Sequence, residues 1–139
     1  MQKLKINHFA VWICIILQQV IPALWFSELL FGEKWMELSV LKEEDFANPS
    51  SIPFIASFLV SIFVCYLIAW LFKELKTENV LDGIKLSFFF WLAFVVGQIA
   101  VVDMFSLKPF ALSLINSGYI LVNLILTGIL LSTWKRYAI

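Results

Sequence analysis

Four long apolar runs fill most of the chain: Ile6 to Phe31, Pro53 to Phe72, Ile84 to Phe105 and Phe110 to Trp134. A helix needs roughly 20 mainly apolar residues to cross the ~30 Å hydrocarbon core of a bilayer, and each run is about that long. In lipid a backbone must satisfy its own hydrogen bonds, which leaves helices and closed barrels. The runs lack the strict alternation of a barrel strand. The expectation is therefore an all-α fold, an integral membrane four-helix bundle, with helices over about 6–31, 53–72, 84–105 and 110–134. The connecting segments are too short to hold a second domain, so residues 1–139 read as one transmembrane domain.

Composition points the same way. Charged residues are 14% of the chain, where a soluble domain usually carries about 25%. Ten Lys and Arg balance ten Asp and Glu, so net charge gives no sign of a nucleic-acid partner. No run of Lys and Arg resembles a polybasic lipid-binding patch. Lys3 and Lys5 before the first run resemble the start of a signal peptide, but the run is too long and no small-residue cleavage site follows it. It reads as a retained helix. Cys14 and Cys65 both fall near the middle of expected spans and read as small apolar packing residues rather than a disulfide.

Lys and Arg concentrate on the cytoplasmic side of a membrane protein. Lys3, Lys5, Lys73, Lys76, Lys85, Lys135 and Arg136 fall on one side of the expected bundle, and Lys34, Lys42 and Lys108 on the other. Both termini are thus expected to be cytoplasmic, with the first and third loops outside. Trp12, Trp70, Trp91 and Trp134 would mark the inner interface, and Trp25 and Trp35 the outer one. The first loop, Gly32 to Ile52, is the longest and most acidic. Its start, Glu33 to Leu41, mixes Trp35, Met36, Leu38 and Leu41 with polar residues. That pattern fits a short helix on the membrane surface or an ordinary exposed loop. Lys108-Pro109 is expected to separate the third and fourth helices.

Within the spans, spacing singles out three groups. Ser57, Ser61, Cys65 and Ala69 stand four residues apart on the second helix and form a ridge of small side chains. Such ridges let helix backbones approach closely in lipid. The ridge serves packing within one bundle or contact with a second copy or partner. Asn116 and Asn123 share a face of the fourth helix with Thr127, and two amides on one stripe should avoid lipid. With Gln18 on the first helix and Gln98 on the third, they make a candidate polar cavity rising from the midplane to the outer side. The alternative is interhelical hydrogen bonding. Glu28, Asp103 and Lys108 are candidate charges at the outer rim; ionisable groups at the edge of a span are functional candidates, and a surface salt bridge is the plainer reading. His8 reads as an interfacial residue. No metal-ligand cluster, Gly-rich phosphate loop, Cys-x-x-Cys pair or Ser/His/Asp set can be assembled. No catalytic residue, metal or cofactor is expected, and the chain is expected not to be an enzyme.

Two segments carry a resemblance. One is Ala23-Leu24-Trp25-Phe26-Ser27, then Leu29-Leu30-Phe31-Gly32 and Lys34-Trp35-Met36, followed by Lys42-Glu43-Glu44-Asp45. The other is Ile115-Asn116-Ser117-Gly118-Tyr119, continuing through Gly128 to Trp134. Together they resemble domain-of-unknown-function family 1761, a group of small bacterial proteins with four membrane helices. The resemblance implies the same fold and a bacterial inner-membrane location. It brings no activity and no site residues. Members often have a small residue where Pro22 stands and a proline where Glu28 stands, which makes Glu28 a local feature.

Two functions are compatible with these features. The first is a non-enzymatic membrane protein acting by helix and lipid packing, as a homo-oligomer or an accessory subunit of a larger complex, with membrane lipid as its surroundings. The second is a small transporter or ligand-binding protein using a polar cavity open to the outer side.

Overall fold

The computed structural model describes residues 3–77 and 79–138. In chain order it contains β1 (Lys3–Lys5), α1 (His8–Trp25), α2 (Gly32–Ser39), a 3-10 turn (Glu43–Phe46), α3 (Ile52–Glu74), α4 (Val80–Trp91), a π-helical turn (Leu92–Val96), α5 (Gly97–Phe105), α6 (Phe110–Thr133) and β2 (Arg136–Ala138). With α4, the π turn and α5 forming one continuous span, four helices are long and apolar enough to cross a membrane. Large apolar side chains such as Phe9, Leu59, Phe63, Phe94 and Val102 stand exposed on their surfaces. Apolar surface on this scale, on helices of this length, suggests a multi-pass membrane protein.

The two short strands were not legible in the hydropathy pattern. They pair antiparallel, with Leu4 opposite Tyr137, and Asn7 Nδ2 donates to the Trp134 carbonyl at 3.0 Å just inside them. Asn7 also caps α1, its Oδ1 accepting from Ala10 N. The β1–β2 end of the bundle is called the terminal side below, and the opposite end the loop side. Four antiparallel spans put both strands at the same end.

α1 stops at Trp25, six residues before the end of its apolar run. There the Ser27 hydroxyl bonds the Leu24 carbonyl at 2.6 Å and the chain folds back, with Phe31 N on Trp25 O and Gly32 N on Ser27 O. Gly32 allows this turn: a Cβ there would lie 2.7 Å from the Ser27 carbonyl oxygen. The first-loop segment then forms α2, which lies against α6 rather than free on the surface. Trp35 donates to Asn116, and Phe26 packs against both Trp35 and Tyr119 with ring centroids 5.2 and 5.3 Å apart. The other boundaries fall within four residues of their sequence expectations, and Pro109 caps the start of α6.

α6 is the centre of the bundle and touches α1, α2, α3, α4 and α5. Its most extensive contact is with α4, where small residues meet. A Cβ added to Gly83 would lie 2.6 Å from the Gly128 carbonyl oxygen, and one added to Gly128 would lie 2.7 Å from the Gly83 carbonyl oxygen. Ser87 and Ser132 complete the contact, both buried. α3 packs differently. From Ser61 toward the terminal side it contributes Ser61, Cys65, Ile68, Ala69 and Phe72 to the interior, and the apolar members join two core clusters with α1 and α6. Every residue from 52 to 60 on its loop-side half is exposed.

The π turn at Leu92–Val96 sets which side chains of the third span face inward. Eleven residues make about three turns of a straight α-helix, so Gln98 would share the inward face of Ser87. The extra residue of a π turn rotates the remainder of the span by about 100°. Val96 at its end and Ala100 and Asp103 beyond it are buried, and Gln98 stands exposed.

Overpacking a tight contact costs about 1–3 kcal/mol. Gly128→Val is therefore expected to lower the unfolding midpoint in detergent clearly. Gly97→Ala should lower it less, because a Cβ there meets only the Leu92 carbonyl oxygen, at 3.2 Å.

Candidate functional site

The polar groups of the spans fall into three levels. At the middle, Gln18 on α1 and Asn123 on α6 are both buried. The contacts at either end of these two helices set their register: Asn7 bonds Trp134 on the terminal side, and Trp25 bonds Ile115 on the loop side. Gln18 is seven residues from Trp25 and Asn123 eight from Ile115, so the two amides stand at one level of the bundle. Asn123 Oδ1 is buried with no hydrogen-bond partner.

Asn116 lies about two turns nearer the loop side and is half-buried. Its Oδ1 accepts from Trp35 Nε1 at 3.0 Å. It is one of three consecutive α6 residues that receive an indole N–H. Trp25 Nε1 donates to the Ile115 carbonyl at 3.0 Å and Trp91 Nε1 to the Ser117 carbonyl at 2.8 Å. Three tryptophans from α1, α2 and α4 thus converge on one stretch of α6. The carbonyl oxygen has two lone pairs, so a helix carbonyl can accept a side-chain donor beside its own backbone bond. This corrects the reading of Trp91 as an inner-interface anchor. It reaches inward to the eighth residue of α6, well inside the span, because the α4 face that carries Gly83 and Ser87 also carries Trp91. Gly118 makes room for Trp25, whose ring carbon would lie 2.6 Å from an added Cβ.

At the loop-side end, Asp103 is buried. Its Oδ2 accepts from Ser113 Oγ at 2.8 Å, and its Oδ1 stands 4.0 Å from Lys108 Nζ. The Lys108 N–H also donates to the Asp103 carbonyl at 2.9 Å, closing the α5–α6 turn. Lys108 is mostly exposed. Glu28 is exposed and apart from this pair; it lines an open hollow of ≈ 630 Å³ with Phe26, Met36, Glu43 and Phe46.

The structure therefore brings together Gln18 and Asn123 by level and Asp103 with Lys108 by contact. It gives Asn116 to Trp35 and leaves Gln98 outside the group altogether. On the small-residue ridge, Ser61, Cys65 and Ala69 are buried, and Cys65 shares a core cluster with Cys14 of α1. Both cysteines are free. Ser57, the fourth member, is exposed.

Two groups escaped the sequence reading. Gln19, not Gln18, makes the α1–α3 hydrogen bonds: its Nε2 donates to Ser61 Oγ at 2.7 Å, and Ser57 Oγ reaches its Oε1 at 3.4 Å. Its position beside Gln18 was visible, but facing could not be decided without knowing where α3 lies. Gly83 and Ser87, and Gly128 and Ser132, each carried the four-residue small spacing already noted on α3. At the terminal side, His8 Nδ1 lies 3.0 Å from Tyr66 Oη, tying α1 to α3. Among the described residues no group of three or more His, Cys, Asp or Glu is placed to hold a metal ion.

The family model described as a protein of unknown function, DUF1761, matches residues 9–132. The chain belongs to this family. No curated protein and no solved structure matches the chain. The matched region takes in nearly all of the four spans and the whole first loop, including most of both segments that carried the resemblance.

Hydrogen bonds to charged groups contribute about 1.5–3 kcal/mol. Ser113→Ala, which leaves the buried Asp103 carboxylate one donor short, is expected to cost that much in an unfolding titration. Interhelical hydrogen bonds in membranes average about 0.6 kcal/mol. Trp91→Phe, which keeps an aromatic ring and deletes the N–H, should lose an amount of that smaller order in the same titration.

Proposed function

We propose that the chain is a small non-enzymatic integral membrane protein of a bacterial inner membrane, with both termini cytoplasmic. It acts by helix and lipid packing, as a homo-oligomer or as an accessory subunit of a larger membrane complex. The observation that carries this reading is the loop-side half of α3, where every residue from 52 to 60 is exposed although the other half of the same helix is packed. The small-residue ridge runs on into this half through Ser57. A ridge of that kind is where a second helix backbone can approach closely. The polar side chains of the spans support the same reading. Gln19, Trp25, Trp35, Trp91 and Ser113 are engaged in bonds between elements, the use expected of packing rather than of a solvated channel.

The test is cross-linking in native membranes. Single cysteines at 57 and 59 are introduced in a Cys14→Ser, Cys65→Ser background and treated with a bifunctional maleimide. The expected product is an adduct of two copies, or an adduct with another polypeptide in fixed ratio. A chain that stays monomeric at both positions, and at the rest of 52–60, overturns the reading.

One observation favours a transporter or ligand-binding protein instead: the open loop-side hollow with Glu28 and Glu43 on its walls and Phe26 and Phe46 beside them. On that reading Gln18, Asn116 and Asn123 would continue the hollow inward. Gln98→Cys, Asn116→Cys and Asn123→Cys in the same background separate the two. Packing predicts no reaction of position 123 with a polar thiol reagent, and Asn123→Leu that assembles normally. A water-filled cavity predicts labelling at 116 and 123.

A further inference from the structure

We infer that the hollow at the terminal side of the bundle is a binding site for a phosphate group, of the kind carried by an anionic phospholipid headgroup. Three lysines from three separate parts of the chain line it: Lys5 at the end of β1, Lys73 near the end of α3 and Lys135 after α6. They are brought together by the β1–β2 pairing and the Asn7–Trp134 bond, which hold the two ends of the chain against the end of α3. No carboxylate lines the hollow among the described residues. Lys73 Nζ also lies 3.4 Å from Oε1 of Glu74, which is exposed and outside the lining. Such a pair contributes little and leaves Lys73 able to face an anion. Lys5 and Lys73 bring like charges to one small hollow, and a bound anion relieves their repulsion.

The second observation is Thr77. It lines the same hollow and is 5% exposed, yet its Oγ1 has no hydrogen-bond partner. A buried hydroxyl left unpaired costs about 1–3 kcal/mol. A phosphate oxygen would accept from it. The partly open space is ≈ 30 Å³, room for about two water-sized groups at roughly 10–15 Å³ each. That suits two oxygens of one phosphate with the remainder of the ligand outside. Phe72, Leu131 and Trp134 form the apolar part of the wall, where a glycerol backbone or the start of an acyl chain would lie. Basic pockets between membrane helices on the cytoplasmic side are where anionic headgroups bind.

The site is independent of whether α3 meets a partner, and its test reads neither oligomeric state nor transport. The purified protein in a nonionic detergent is unfolded thermally with added phosphatidylglycerol, with phosphatidylcholine, and with sodium phosphate against sodium chloride at matched ionic strength. The expected result is a rise in midpoint with phosphatidylglycerol and none with phosphatidylcholine. A rise of the same size with sodium phosphate identifies the phosphate itself as the ligand; a rise with the lipid alone identifies the headgroup in its lipid. Lys73→Gln and Thr77→Val should each remove at least half of the rise. Lys85→Gln, an exposed lysine on α4 outside the hollow, should keep it. Absence of any rise in the wild-type protein, or an equal loss in Lys85→Gln, overturns the inference. If Lys73→Gln fails to fold, Lys5→Gln takes its place, and a full rise in both Lys5→Gln and Thr77→Val has the same meaning.

Discussion

In lipid, helices gain almost nothing by turning apolar faces toward one another, because the acyl chains are equally apolar. What remains is close packing and hydrogen bonding between helices, and this bundle concentrates both on α6. Gly83 and Gly128 bring two backbones within van der Waals contact. Three indole N–H groups then converge on Ile115, Asn116 and Ser117 of the same helix. Each tryptophan fills space as well as donating, so α1, α2 and α4 are held to α6 by large rings with one polar tip. The indole bonds lie toward the loop side; the terminal side is held by the Gly83–Gly128 contact, the paired strands and the Asn7–Trp134 bond.

α3 stands apart from this arrangement. It meets α6 through Ile68 and Phe72 and through the cluster of Cys14, Cys65 and Ala69, on which Leu130 and Leu131 pack, and Gln19 and Ser61 bond it to α1. Beyond Ser61 toward the loop side every residue of the helix is exposed, and the loop that precedes it carries only a short 3-10 turn after α2. A helix attached along half its length presents a surface that lipid or another helix can cover, and this asymmetry distinguishes α3 from the other spans.

The number of spans, their approximate limits and the break at Lys108-Pro109 were legible along the chain. Both hydropathy and proline act locally, so a window of residues contains the whole signal. The family resemblance was equally local, resting on Trp25, Phe26, Ser27, Gly32 and Trp35 and on the segment from Ile115. The first group and Ile115 to Tyr119 prove to meet at the loop-side junction of α1, α2 and α6, while the rest of that segment runs on to the terminal side. The candidate site was read less well. Asn123 and Gln18 were placed inside, and Asp103 with Lys108, because amides and carboxylates avoid lipid wherever they can. Gln98 obeyed the same reasoning and stands outside, since the π turn rotates it away from α6 and no pattern in Leu92 to Val96 announces that turn. Trp91 was misplaced for a related reason: tryptophan suits a membrane interface and an interhelical donor equally, and only its neighbours distinguish the two.

By itself the sequence determined four spans long and apolar enough to cross a membrane, their all-helical architecture and the family. Each depends on sums over neighbouring residues or on short strings of them. Tertiary structure alone decided which side chains meet. It set Gln19 rather than Gln18 against α3 and closed Gly83 onto Gly128. It also gathered Lys5, Lys73 and Lys135, which lie far apart in the chain and form no basic run, around one hollow that Thr77 also lines. The physical reason is that helix facing depends on register accumulated over whole turns and on where distant ends close, and neither quantity is carried by any one stretch of chain.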